Sequence, residues 1–187
     1  MSDTRFVGKT TALRDFFASV DARDLKAASE NLARHFNSTQ DSGTDWTEVE
    51  YEFNRLFVGP AAVPAPPYAS AYQEEPALMG APTLEVRAAY RRLGLEVPDQ
   101  GSTPDDHIAF ELDAVAAVES TDGSPGDAAE VLRWLVEEHM GGWLPRFTAA
   151  IREQPGVSPS VSMAVLALDT WLEEARSRVR QPITTQE

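Results

Sequence analysis

Apolar residues recur every three or four positions along most of this chain, and no window alternates apolar and polar long enough to mark a strand. Residues about 4–19 read as a first helix with Leu13, Phe16, Phe17 and Val20 on one face. Asp21 or Asp24 starts a second, on which Leu25, Ala28, Leu32 and Phe36 share a face. After the polar break Asn37–Gly43, Asp45 and Glu48 have capping-box spacing, followed by Trp46, Val49, Phe53 and Leu56, with Phe57 alongside. Thr83–Leu93 is a short helix closed by Gly94.

The clearest start lies at Thr103-Pro104-Asp105-Asp106: a cap, a proline that needs no N–H, and two carboxylates at the positive end of the dipole. Ile108, Leu112 and Val115 follow as its apolar stripe, with His107 and Glu111 one turn apart on another face. Ser124-Pro125-Gly126-Asp127 repeats that start logic before Ala128, Val131, Leu132, Leu135 and Val136. That helix is expected to stop at Gly141-Gly142, with another beginning at Trp143. Ser158-Pro159 opens a last long helix with Val161, Val165, Leu168 and Leu172 in one row, and Arg176, Arg178 and Arg180 at its negative end. The expected architecture is an all-α single domain of about eight or nine helices over residues 1–180, with 181–187 as a frayed tail.

One segment breaks the rhythm. Val58 to Ala81 is long and rich in proline (Pro60, Pro64, Pro66, Pro67, Pro76), and it carries apolar rather than charged residues, among them Val63, Tyr68, Tyr72 and Leu78. Loops of that length in compact domains are functional or disordered, and this composition argues for order.

Composition narrows the chemistry. Thirty acidic and sixteen basic residues give a net charge of −14. Such a surface is unsuited to nucleic acid and suited to a basic partner. The chain has no cysteine, which removes disulfides, thiolate nucleophiles and cysteine-held metals. Without an apolar leader region or a membrane-span length, the expected location is cytoplasmic. Gly8-Lys9-Thr10 ends like a phosphate-binding loop, but Asp3 stands where the first glycine belongs and no strand precedes it. A di-metal bundle site needs Glu-x-x-His, yet Leu32, Pro104 and Val136 precede His35, His107 and His139 by three residues. A nucleophile built from Ser70, His107 and an Asp rests on residue types alone. No catalytic residue, metal ligand or cofactor is therefore assigned.

Several spaced motifs between about residues 45 and 150 resemble the TorD/DmsD/NarJ family of molybdoenzyme maturation chaperones. Pro104-x-Asp106-His107-Ile108-x-x-Glu111-Leu112 is similar to its proline–Asp–His–Leu/Ile–x–x–Glu–Leu signature. Glu52-Phe53-x-x-Leu56-Phe57 resembles its acidic–aromatic–x–x–Leu–Phe motif, and His139 to Phe147 its His–x–x–x–Trp–x–x–x–Phe pattern. Pro67-Tyr68-Ala69-Ser70-Ala71-Tyr72 resembles a Pro–aromatic–Glu–Ser–x–aromatic element, with Ala69 where Glu is common. The resemblance implies the family's helical fold and no enzymatic activity. It also implies binding of a twin-arginine signal peptide and of the apo catalytic subunit of a molybdopterin oxidoreductase, before cofactor loading and export. A NarJ-like assembly factor for a membrane-anchored enzyme that is not exported is the alternative, with a helical-bundle enzyme behind it. The implied peptide site is Phe53, Leu56, Phe57, Pro67, Tyr68, Tyr72, Pro104, Asp106 and His107. Nucleic-acid binding and stable membrane insertion are not expected; a monomer and a helix-swapped dimer both remain open.

Overall fold

The computed structural model describes residues 3–77, 79–97, 103–121 and 127–180. Helix α1 (Thr4–Phe17) lies at the centre, packed against α2 (Ala22–His35), α5 (Ile108–Ser120) and α8 (Pro159–Arg180). Three of the early helices start on an aspartate. Asp3, Asp21 and Asp45 each accept two backbone N–H bonds at the head of α1, α2 and α3 (Trp46–Phe53). The stripes read from the sequence converge on one core, with Phe6, Leu13, Phe16, Leu32, Leu112 and Trp171 fully buried. Val20 departs from that reading. Helix α1 ends at Phe17, so the next turn points outward and Val20 is 79% exposed.

Gly8, Lys9 and Thr10 sit inside α1, where no loop could cradle a phosphate. Lys9 Nζ instead pairs with Glu174 at 2.5 Å, and Thr10 Oγ1 bridges Phe6 O to Trp171 Nε1.

Helix α3 runs on through a π-helical turn, Asn54–Val58, and ends at Gly59 with φ of 106°. The wider turn lets adjacent residues Leu56 and Phe57 both face inward, at 0% and 4% exposure. The proline-rich segment after it packs against the helices through several of its described residues. Ala65 N–H donates to Leu56 O, Ala65 and Ala69 are buried, and Ala69–Tyr72 forms a 3₁₀ turn leading to α4 (Ala81–Arg92). Gly94, with φ of 72°, closes α4 as expected.

Two boundaries differ from the sequence reading. The central helix begins at Ile108, four residues after Pro104. Residues 104–107 form a turn closed by His107 N–H to Pro104 O, and backbone bonds from Ala69 N to Asp106 O and from Ile108 N to Pro67 O pin this turn against the loop. The second difference is Gly141-Gly142, which does not end a helix. Helix α6 (Ala128–Arg133), a π-helical segment (Trp134–Met140) and α7 (Gly141–Arg152) form one continuous rod. Pro145 lacks the N–H that would bond Gly141 O, and the Arg176 guanidinium from α8 donates to that carbonyl instead, at 3.1 Å. A Cβ on Gly141 would lie 2.7 Å from Arg176 Nη2, so glycine admits the arginine. The described residues thus form seven helical rods, fewer than expected. The start expected at Ser124-Pro125 and the tail 181–187 lie outside them. Ser158 caps α8 as expected, its Oγ accepting from Val161 N, and no strand occurs among the described residues.

Candidate functional site

The signature residues turn inward. Asp106 is fully buried, with Oδ2 accepting from Ser70 N at 2.7 Å and Oδ1 from Thr83 Oγ1 at 2.7 Å. One carboxylate thereby ties the loop, α4 and the head of α5 together. Its neighbour Asp105 takes a two-pronged contact from Arg87, 2.8 Å at each oxygen, and this contact raises the Arg87 pKa. His107 caps α5: its Nδ1 accepts from Ala109 N at 3.1 Å. Burial lowers the His107 pKa to about 4 against the opposing pull of Asp106, so the ring is neutral and its proton sits on Nε2.

His107 and Glu111 do not pair with each other. Glu111, fully buried, accepts from His139 Nε2 at 2.7 Å and from Trp143 Nε1 at 3.1 Å. The Glu of one motif and the His and Trp of another are therefore two halves of one clamp between α5 and the α6–α7 rod. Glu52 works in the same way, accepting from Ser158 N at 2.8 Å just before α8.

Beside these clamps lies a half-open cavity of about 670 Å³ with a mainly apolar lining. Phe53 and Phe57 form its floor edge to face at 4.9 Å, and Phe17 adds a third ring 5.9 Å from Phe57. Pro67, Tyr68 and His107 form the opposite wall, the last two rings meeting edge to face at 5.0 Å. Burial raises the Tyr68 pKa, so its phenol stays protonated. Ser70 also lines the cavity, and its buried hydroxyl has no partner among the described residues. It has no contact with His107 that would make it a nucleophile.

Five of the nine sequence-derived site residues thus share this cavity: Phe53, Phe57, Pro67, Tyr68 and His107. Leu56, Pro104 and Asp106 are buried beneath it, and Tyr72 faces a separate cleft. Sequence reasoning missed Phe17, Val20, Val58, Val63, Pro66 and Phe110 as lining residues. A usable signal existed for two of them. Val20 follows the end of α1 and Val58 is the last residue of the π-helical turn, before Gly59; both are exposed, at 79% and 65%, on the cavity lip.

Among the described residues no group of three or more His, Asp or Glu is placed to hold a metal, and no helix is long and apolar enough to cross a membrane.

A family model described as nitrate reductase delta subunit matches residues 19–149. The Tat proofreading chaperone DmsD of Salmonella typhi is 32% identical over 105 residues, which cover 56% of this chain and 49% of DmsD. Chaperone protein TorD of Vibrio cholerae is 27% identical over 142 residues, 72% of this chain and 64% of TorD. The chain thus spans about half of the first relative and under two thirds of the second. Both are named as chaperones, not enzymes. A candidate redox enzyme maturation protein from Archaeoglobus fulgidus has the same fold, with a TM-score of 0.58 at 22% identity over 97% of this chain and 96% of its own. The matched residues take in the clamps at Asp106, Glu111 and His139 together with nearly the whole cavity lining. The chain belongs to the nitrate reductase delta subunit family, the TorD/DmsD/NarJ group.

Proposed function

We propose that this protein is a cytoplasmic maturation chaperone that holds the apolar stretch of a leader peptide, carried by the catalytic subunit of a molybdopterin oxidoreductase, until cofactor loading is complete. The open apolar cavity carries this reading: four phenylalanines, a proline wall and two exposed valines at the lip surround about 670 Å³. Exposed apolar patches of this kind mark binding surfaces. The neutral His107 ring leaves the cavity uncharged, which suits an apolar segment. The net charge of −14 steers a basic client toward the protein. Pro104, Asp106 and Leu56 support the site from below without touching the peptide. The family description, nitrate reductase delta subunit, favours a second kind of client, a subunit that stays in the cytoplasm on a membrane-anchored enzyme.

Calorimetric titration with a leader peptide tests the cavity. Val58→Asp alters an exposed lip residue and spares the fold. Affinity should fall about tenfold or more, since burying a valine side chain is worth ~1.5–3 kcal/mol. Unchanged binding would remove the peptide from this cavity.

A further inference from the structure

Two of the polar side chains lining the apolar cavity are already engaged. Ser19 Oγ donates to Asp15 O, and His107 Nδ1 accepts from Ala109 N. Ser70 differs. It lines the cavity at 1% exposure, and its hydroxyl is shut off from water with no partner among the described residues. A buried hydroxyl left unpaired is costly, because water satisfies it in the unfolded chain. The bond that ties this residue to Asp106 comes from its backbone N–H, so the side chain is free of that duty.

The place of that hydroxyl is fixed by the backbone around it. Tyr68 and His107 face each other across an antiparallel bridge, and the bonds from Ala69 N and Ser70 N to Asp106 continue the contact. Ser70 and His107 are thereby held close together at the cavity wall, and each carries a hydrogen to donate, on Oγ and on Nε2. Two donors in apolar surroundings suit an acceptor. Burial and then the charge of Asp106 raise the Tyr68 pKa, so that charge is felt at the wall and disfavours an anion there. The matching group is a neutral carbonyl oxygen. An apolar stretch of peptide has none on its side chains, but its main chain offers one wherever a helix end or a bend leaves a C=O open.

We propose that Ser70 is a specificity-determining residue of the cavity, donating its hydroxyl hydrogen to an open main-chain carbonyl of the bound apolar segment. The inference rests on the leader-peptide reading for the identity of that segment. It adds what the cavity requires of it: apolar side chains grouped around one neutral, unpaired carbonyl. A hydrocarbon surface of the same shape fills the space and gains nothing from Ser70.

The test uses three probes of one shape: acetophenone, α-methylstyrene, in which C=CH₂ replaces C=O, and benzoate. Each is titrated into the ¹⁵N-labelled protein and into Ser70→Ala, with the Val63 and Phe110 amides reporting occupancy of the cavity. Ser70→Ala keeps the N–H that holds Asp106, so its denaturant midpoint should match or exceed that of the wild type. Acetophenone should bind the variant about tenfold more weakly, the worth of one hydrogen bond, while α-methylstyrene binds both proteins alike. Benzoate should bind neither, and a leader peptide should follow acetophenone. An equal effect of the substitution on both neutral probes would overturn the proposal and leave the cavity standing. So would tight binding of benzoate, a marked loss of stability in Ser70→Ala, or a leader peptide held equally well by both proteins. Absence of any shift at Val63 and Phe110 with either neutral probe would instead sink the leader-peptide reading of the cavity, and this inference with it.

Discussion

His139 Nε2 and Glu111 Oε1 meet at 2.7 Å inside the protein, joining the α6–α7 rod to α5, and Trp143 Nε1 completes the clamp on the other oxygen. Burial raises the Glu111 pKa against the pull of His139 and Trp143. Burial alone would lower that of His139, but Glu111 overrides it and the net direction is upward. Both shifts mean that the folded pair holds its proton more tightly than the unfolded chain.

The stabilisation from His139 is therefore complete below its unfolded pKa of 6.5 and is lost as pH rises through its folded value. Denaturant midpoints should fall across that alkaline interval in the wild type, and Glu111→Gln should flatten the fall. Glu111→Ala, which leaves both donors unpartnered, should cost about 3–5 kcal/mol at neutral pH. A wild-type curve that is level above pH 6.5 would contradict the shared proton.

Asp106 carries a second prediction. As a helix-start residue it would contribute only about 0.3–1 kcal/mol. Buried, and accepting from Ser70 N and Thr83 Oγ1, it should contribute more. Asp106→Asn turns one acceptor oxygen into a donor facing a donor, and should cost about 1.5–3 kcal/mol of stability. Peptide affinity, measured where the variant is folded, should change little. A stable variant with tenfold weaker peptide binding would return this carboxylate to the binding surface.

The two glycines of the α6–α7 rod offer a third test. Gly142 lies within α7 and has open space where a Cβ would go, so Gly142→Ala should stabilise by about 0.5–1 kcal/mol. Gly141→Ala should do the reverse, because its Cβ would displace Arg176 from the carbonyl that Pro145 leaves free. Thermal melts of the two variants should move in opposite directions. Equal destabilisation by both would restore the helix break expected from the sequence.

Those glycines show where the sequence was legible and where it was not. Helical period and aspartate caps are local, so α1, α2, α3 and α8 could be read within a few residues. The partner of Gly141 O lies on another helix, and that long-range contact turned a pattern of breakers into a continuous rod. Thr103-Pro104-Asp105-Asp106 likewise looks like a helix start until the bond from Ala69 N to Asp106 O pulls it into a turn. The site was half legible for the same reason. Aromatic motifs marked Phe53, Phe57 and Tyr68, whereas Phe17 looked like an ordinary helix-face residue and Phe110 lay outside the apolar stripe of its helix, until packing opened a cavity beside them.

His107 has the opposite pH behaviour to His139. Its folded pKa of about 4 lies below the usual 6.5, so its contribution to stability is present above 6.5 and is lost as pH falls toward 4. The full loss is ~3 kcal/mol, since each unit of pKa shift corresponds to about 1.4 kcal/mol. Asn at this position keeps an acceptor for Ala109 N but does not titrate, so His107→Asn isolates the effect from the carboxylates that also protonate in acid. Stability measured by denaturant at pH 7 and at pH 4.5 should show the variant gaining on the wild type as pH falls, by most of that amount. His139 works in the other direction in both proteins and cancels from the comparison. The cavity should respond in step, because protonating His107 places a charge in its wall, and affinity for an uncharged apolar peptide should drop in acid for the wild type alone. Parallel stability curves for the two proteins would mean that His107 takes up its proton freely and is not held neutral against the cavity.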